Sequence, residues 1–180
     1  MLRITTGTAK NVRLSTPDFK EYRGVKEVVK QSVFSVIGEE IKNKDCLELF
    51  AGSGNIGLEA LSRGARTCHF VDENPKAIEV IEKNAIKCKF DESKVQIFKS
   101  NAVKFVANTI NKYDIIFLDP FYQDTSHIFL VKSIEEILKN KGVIVFFHGN
   151  TLNINKIIKD TNFKILDQRK FGNSYFSLIS

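Results

Sequence analysis

The chain has 180 residues, 43% hydrophobic and 27% charged, with a net charge of +6. That length suits one domain with a core large enough to need no disulfide or metal staple, and the composition argues against disorder. Residues 1–30 carry seven basic side chains against three acidic ones, which suits a polyanionic partner such as RNA but equally a solvated lysine-rich surface.

In chain order, the first fourteen residues alternate around a Thr-Gly-Thr turn signal and read as a small hairpin or extended arm. After a basic segment, Lys26–Glu40 carries an apolar helical stripe of Val29, Val33, Phe34, Val36 and Ile37. From Asp45 onward, short apolar runs alternate with amphipathic stretches, the pattern of βαβ units and a parallel sheet. Strands are expected at Cys46–Phe50, Thr67–Asp72, Val95–Lys99, Ile115–Asp119 and Val143–His148. Helices are expected at Ile56–Arg63, Pro75–Lys87, Ala102–Ile110 and Ser126–Lys139, with Gly142 as the stop of the last. A short helix near Asn153–Lys159 precedes two further strands, Phe163–Phe171 and Tyr175–Ile179. The three residues between those strands force a hairpin, so the final strand runs antiparallel. The expected fold is therefore a doubly wound α/β sheet of seven mostly parallel strands with helices on both faces.

No apolar run approaches the length of a membrane helix, and the N-terminus lacks the pattern of a secretory leader. Cys46, Cys68 and Cys88 are odd in number and never in C-x-x-C spacing. They read as reduced thiols, which points to an intracellular, cytoplasmic protein. His69 and His148 lie in apolar strands and read as core histidines, and no ligand spacing suggests a metal.

Cys46–Gly57 reads as a buried strand, a tight glycine turn at Gly52 and Gly54, and a helix start. Open α/β sheets bind ligands at such strand tips. Glu48, acidic within the apolar strand, needs a partner. A negative group there suits a cationic sulfonium cofactor better than the pyrophosphate that a literal G-x-G-x-x-G match would imply. Asp72, at the second strand's end, is placed to accept ribose hydroxyls, although it also suits a helix start. Asn101 after the third strand is either an adenine contact or an N-cap.

Ile115–Tyr122 is a buried strand ending in Asp119-Pro120-Phe121-Tyr122. An amine conjugated to a ring is a poor nucleophile because its lone pair is delocalised. Acceptors such as the Asp119 carboxylate and Pro120 carbonyl, aimed at its N–H bonds, turn that lone pair toward a methyl donor, and Phe121 or Tyr122 would stack on the base. Asp119 would then take the released proton.

These motifs resemble the RsmD-type family of small-subunit rRNA guanine-N2 methyltransferases. The most specific block is Leu49–Ala65, supported by Arg3-Ile4 with Gly7, by Arg13-Leu14, by the Arg23 segment leading to Phe34, and by Arg169–Asn173. The resemblance implies S-adenosylmethionine held by Glu48, Asp72, Asn101 and the loop residues Phe50, Ala51, Gly52, Ser53 and Gly54. It also implies methyl transfer at Asp119 to the N2 amine of a guanine in 16S rRNA, as in the guanine-966 enzymes, within the small ribosomal subunit or its precursor. Lys10, Arg13 and Arg23 would meet RNA. The implied organisation is one monomeric methyltransferase domain over residues 1–180, with a basic arm over 1–25 lying across the active-site edge and a cofactor-binding core over 26–180. The chain departs from the family pattern at Phe121, where a second proline is usual, at Arg23-Gly24-Val25 in place of Arg-Pro-Thr, and at Asn101 in place of aspartate. Two alternatives stay open: an Asp-Pro-aromatic enzyme acting on DNA adenine or cytosine or on protein glutamine, and a non-catalytic RNA-binding module.

Overall fold

The computed structural model describes residues 2–19, 22–120 and 127–180. Its strands are β1 (Asp45–Leu49), β2 (Thr67–Asp72), β3 (Val95–Lys99), β4 (Tyr113–Leu118), β5 (Leu138–Gly149), β6 (Ile165–Phe171) and β7 (Ser174–Ile179). They form one sheet in the order β3-β2-β1-β4-β5-β7-β6. Strands β1 to β5 are parallel, and β7 inserts antiparallel between β5 and β6. The chain leaves β3 and resumes on the far side of β1, so strand order reverses between β1 and β4, where such sheets open a crevice.

Side-chain alternation along the strands splits the core in two. Ile115 and Phe117 of β4 pack with α1 (Glu27–Ile37), α2 (Asn55–Ser62) and α3 (Pro75–Lys87) on one face. Ile116 and Leu118 pack on the other with α4 (Ala102–Asn108), α5 (His127–Ile137) and α6 (Ile154–Ile157). The doubly wound expectation is met, as is the antiparallel last strand. Gly142 plays a different part from the one expected. Helix α5 already ends at Ile137, because Leu138 pairs with Tyr113 and starts β5. Gly142 then lies inside β5, in a bulge that spans the register shift between Tyr113 and Ile115.

Residues 2–14 form the expected hairpin, with Arg3 bridged to Arg13 and Leu14 N–H donating to the Leu2 carbonyl at 3.0 Å. The hairpin packs on the C-terminal end of α2, where Thr8 N–H donates to the Ser62 carbonyl at 2.9 Å. A buried charge network fastens it. Lys30 Nζ donates to the Arg3 carbonyl (2.6 Å) and Asn55 Oδ1 (2.8 Å) and lies 3.0 Å from Glu59 Oε2. Glu59 also accepts from the Thr5 backbone and hydroxyl and from Arg63 Nε. Beyond the hairpin the chain turns toward the strand tips. There Asn84 of α3 accepts from Ser15 N–H (2.8 Å) and donates to the carbonyls of Ser15 (3.0 Å) and Ser53 (2.9 Å).

Candidate active site

Pleat and register bring three carboxylates to one face of the sheet. Glu48 of β1 stands beside Phe70 of β2 and Phe117 of β4. Asp72 and Asp119 lie two residues further along those neighbours, so their side chains leave the sheet on the side that Glu48 does. All three line one cleft at the strand tips, together with Phe50, Ala51, Gly52 and Ser53.

Glu48 is buried, and its partner is the start of α2. Its two oxygens accept from the N–H groups of Ile56 (3.2 Å) and Gly57 (2.9 Å), satisfying donors that the helix itself leaves free. Gly57 permits this approach, since a Cβ there would meet Phe70 at 2.5 Å and Glu48 Oε2 at 2.8 Å. Burial still pushes the Glu48 carboxyl up to about 8. The turn itself needs left-handed backbone at Gly52 (φ 56°) and Gly54 (φ 72°). Phe50 also holds a positive φ of 58°, a conformation that disfavours a side chain by roughly 1–2 kcal/mol. Such strain at the edge of a cleft is characteristic of ligand sites.

Asp72 accepts from Gly52 N–H at 2.8 Å and from Asn74 N–H at 2.9 Å, which fixes the carboxylate against the turn. Burial raises its pKa above the usual range. Asn101 realises the N-cap alternative: its side chain accepts from Val103 and Lys104 N–H and donates to Glu73. It does not line the cleft.

Asp119 is half-buried and, among the described residues, forms no hydrogen bond, and loss of solvent pushes its carboxyl up to about 7. It is a polar group lining the cleft that has no hydrogen-bond partner among the described residues. Pro120 follows it, buried, whereas Phe121 and Tyr122 lie outside the described residues. A feature absent from the sequence reading is Tyr22, whose hydroxyl donates to Ser53 Oγ at 2.7 Å while its ring covers Gly52. Phe19 meets that ring edge-on, at 5.8 Å between centroids. With Tyr22 seated, the cleft has a free volume of only about 40 Å³. No periodicity marks Tyr22, because it sits on an irregular segment.

The three cations expected at RNA are not grouped. Arg23 is exposed and lines the cleft. Lys10 and Arg13 are exposed on the hairpin, and Lys10 lies near Ser62, roughly 12 Å along α2 from the turn. The arm therefore divides: its hairpin grips the far end of α2, whereas Phe19 and Tyr22–Val25 lie at the strand tips. Asn55 holds the latter in place by donating to the Val25 carbonyl at 3.0 Å. His69 and His148 are buried and hydrogen-bonded, to the Tyr113 hydroxyl and to Ser177 Oγ respectively, as core histidines should be.

The family model described as conserved hypothetical protein 95 matches residues 2–180. The chain is 33% identical over 174 residues to the ribosomal RNA small subunit methyltransferase D of Buchnera aphidicola subsp. Baizongia pistaciae, covering 94% of this chain and 86% of that relative. A relative of the same name from Buchnera aphidicola subsp. Acyrthosiphon pisum is 32% identical over 168 residues, covering 93% and 78%. The solved chain yhhF of Escherichia coli superposes with a TM-score of 0.86 at 25% identity, over 99% of this chain and 96% of that one. These likenesses agree with the resemblance carried by the Leu49–Ala65 block. By sequence match over nearly its whole length and by fold, the chain belongs to the conserved hypothetical protein 95 family.

Proposed function

We propose that this protein is an S-adenosylmethionine-dependent rRNA methyltransferase, and that its acceptor is the exocyclic N2 amine of a guanine in 16S rRNA. The observation that carries the reading is the set of three carboxylates, Glu48, Asp72 and Asp119, around one glycine-turned cleft. The relatives named ribosomal RNA small subunit methyltransferase D support the RNA substrate.

The residues present fit the cofactor. Asp72, fixed by two backbone donors, keeps lone pairs for a ribose diol. Two carboxyls held above their ordinary pKa, at Glu48 and Asp119, favour a ligand with cationic centres. The Phe50–Gly54 backbone would hold its amino-acid end, with the Tyr22 ring displaced from Gly52. When bound, the cofactor supplies a methyl group already activated by its sulfonium.

The protein's own work is positioning and proton transfer. Asp119 and the Pro120 carbonyl accept from the N–H bonds of the amine and orient its lone pair, and Asp119 receives the proton. A carboxyl poised near 7 suits that task at neutral pH. Arg23 beside the cleft, and Lys10 and Arg13 on the hairpin, offer contacts for the RNA backbone. The substrate in this reading is the small ribosomal subunit or its precursor, met by a monomer.

The test is methyl transfer from tritiated cofactor to small-subunit particles, free DNA and a glutamine-bearing protein, with mass mapping of the product. N2-methylguanosine in 16S rRNA is expected. Label in an adenine, a cytosine or a protein would overturn the guanine assignment, and no label at all would overturn the activity.

A further inference from the structure

A second cavity, of about 210 Å³, opens on the other side of the Arg23–Val25 segment from the cleft. Asp119 and Arg23–Val25 border both spaces. The remaining wall includes Lys26, Val29, Phe147, Ser174 and Tyr175. Among the described residues, Asp119 is thus the carboxylate that borders both spaces, which is what a group between a methyl donor and its acceptor must do.

The wall is built for a nucleotide. Arg23 and Lys26 are exposed and, among the described residues, form no ion pair, whereas Arg3, Lys30 and Arg63 near the hairpin are each paired. Unpaired cations beside a cavity suit a phosphate. Val29 and Phe147 are buried apolar groups that suit a base. Tyr175 is a rigid post: its ring stacks on His148 at 5.4 Å and 9°, and the Lys170 ammonium lies 5.8 Å from its centroid. His148 is itself pinned by Ser177 Oγ at 2.9 Å and the Gly149 carbonyl at 3.0 Å.

We infer that this second cavity receives the acceptor nucleotide, with Lys26 binding its phosphate and Tyr175 forming the fixed wall that limits which base fits. The inference rests on the methyl-transfer reading above and assigns its acceptor side.

The test uses the full chain with Lys26→Gln, Tyr175→Ala and Tyr175→Phe, and Lys159→Gln as a distant lysine control. Steady-state methyl transfer to small-subunit particles is measured across a salt series, beside cofactor affinity by calorimetry. Lys26→Gln should raise the KM for RNA several-fold and flatten the plot of log affinity against log salt by about 1, leaving cofactor affinity and the control unchanged. Tyr175→Ala should raise the same KM and let label enter nucleotides that the unaltered protein ignores, while Tyr175→Phe keeps the original choice. If Tyr175→Ala fails to fold, Lys26→Gln decides alone, because its side chain is exposed. Wild-type KM and salt slope in Lys26→Gln would overturn the assignment. An unaltered protein that methylates no RNA would instead overturn the reading beneath it.

Discussion

Asp119 and Glu48 share one face of adjacent parallel strands, Asp119 two residues beyond the Phe117 that stands beside Glu48. Burial lifts both carboxyls, to about 7 and about 8, and the charge of Asp119 adds to the rise at Glu48. Two neighbouring acids that resist ionisation hold electrostatic tension that a cationic ligand between them relieves.

Asp119→Ala should abolish methyl transfer while cofactor affinity, measured by calorimetry, stays close to that of the unaltered protein. In the proposed mechanism the working form of Asp119 is the carboxylate, so kcat/KM should rise with pH around a midpoint near 7. Asp119→Asn should leave no such inflection in any residual rate.

Stability should carry the opposite pH dependence. A carboxyl with a raised folded pKa favours the folded state fully below its unfolded pKa and loses that contribution as pH climbs through the folded value. For Glu48 the window runs from about 4.5 to about 8. Thermal midpoints should therefore fall across it, and Glu48→Gln should flatten the slope.

Lys30→Met should remove the cation from a buried pair and leave Glu59 short of its principal partner. Breaking such a pair costs about 3–5 kcal/mol, which lowers the midpoint of a chain this size by roughly 10 °C. Burial opposes the Glu59 carboxylate, yet Lys30, Thr5 and Arg63 outweigh it and keep its pKa below the usual range. Urea unfolding of the unaltered protein and variant gives the difference directly.

Tyr22→Ala should tighten cofactor binding. The Tyr22 ring occupies the surface of Gly52 and its hydroxyl holds Ser53, so a ligand entering along the turn must displace both. Calorimetric titration decides the matter: weaker binding would show that the ring is part of the cofactor's wall.

The strands and the hairpin were legible because their signals are local. Leu47 and Leu49 flank Glu48 in a buried run, and Gly172-Asn173 leaves only a tight turn between β6 and β7. The three acids were also readable, since Glu48 interrupts the apolar run of β1 and Asp72 and Asp119 close those of β2 and β4. What stayed hidden depends on partners distant in sequence or lacking side-chain identity. The donors to Glu48 are backbone N–H groups of α2, which no residue type announces. Lys30 lies within the apolar stripe of α1, but its match, Glu59, comes 29 positions later. Gly142 does not end a helix because a glycine after lysines does so only when the helix reaches it, and the tertiary pairing of Leu138 with Tyr113 intervenes. Asn101 showed the reverse case, in which the plain local role prevailed.

Asn84 gives the molecule a mechanical property. One amide, with no exposed surface, grips the leading segment at Ser15 and the glycine turn at Ser53 simultaneously. The turn and the exit of the hairpin thus share a single buried anchor on α3, and Asn84→Ala would release both at once.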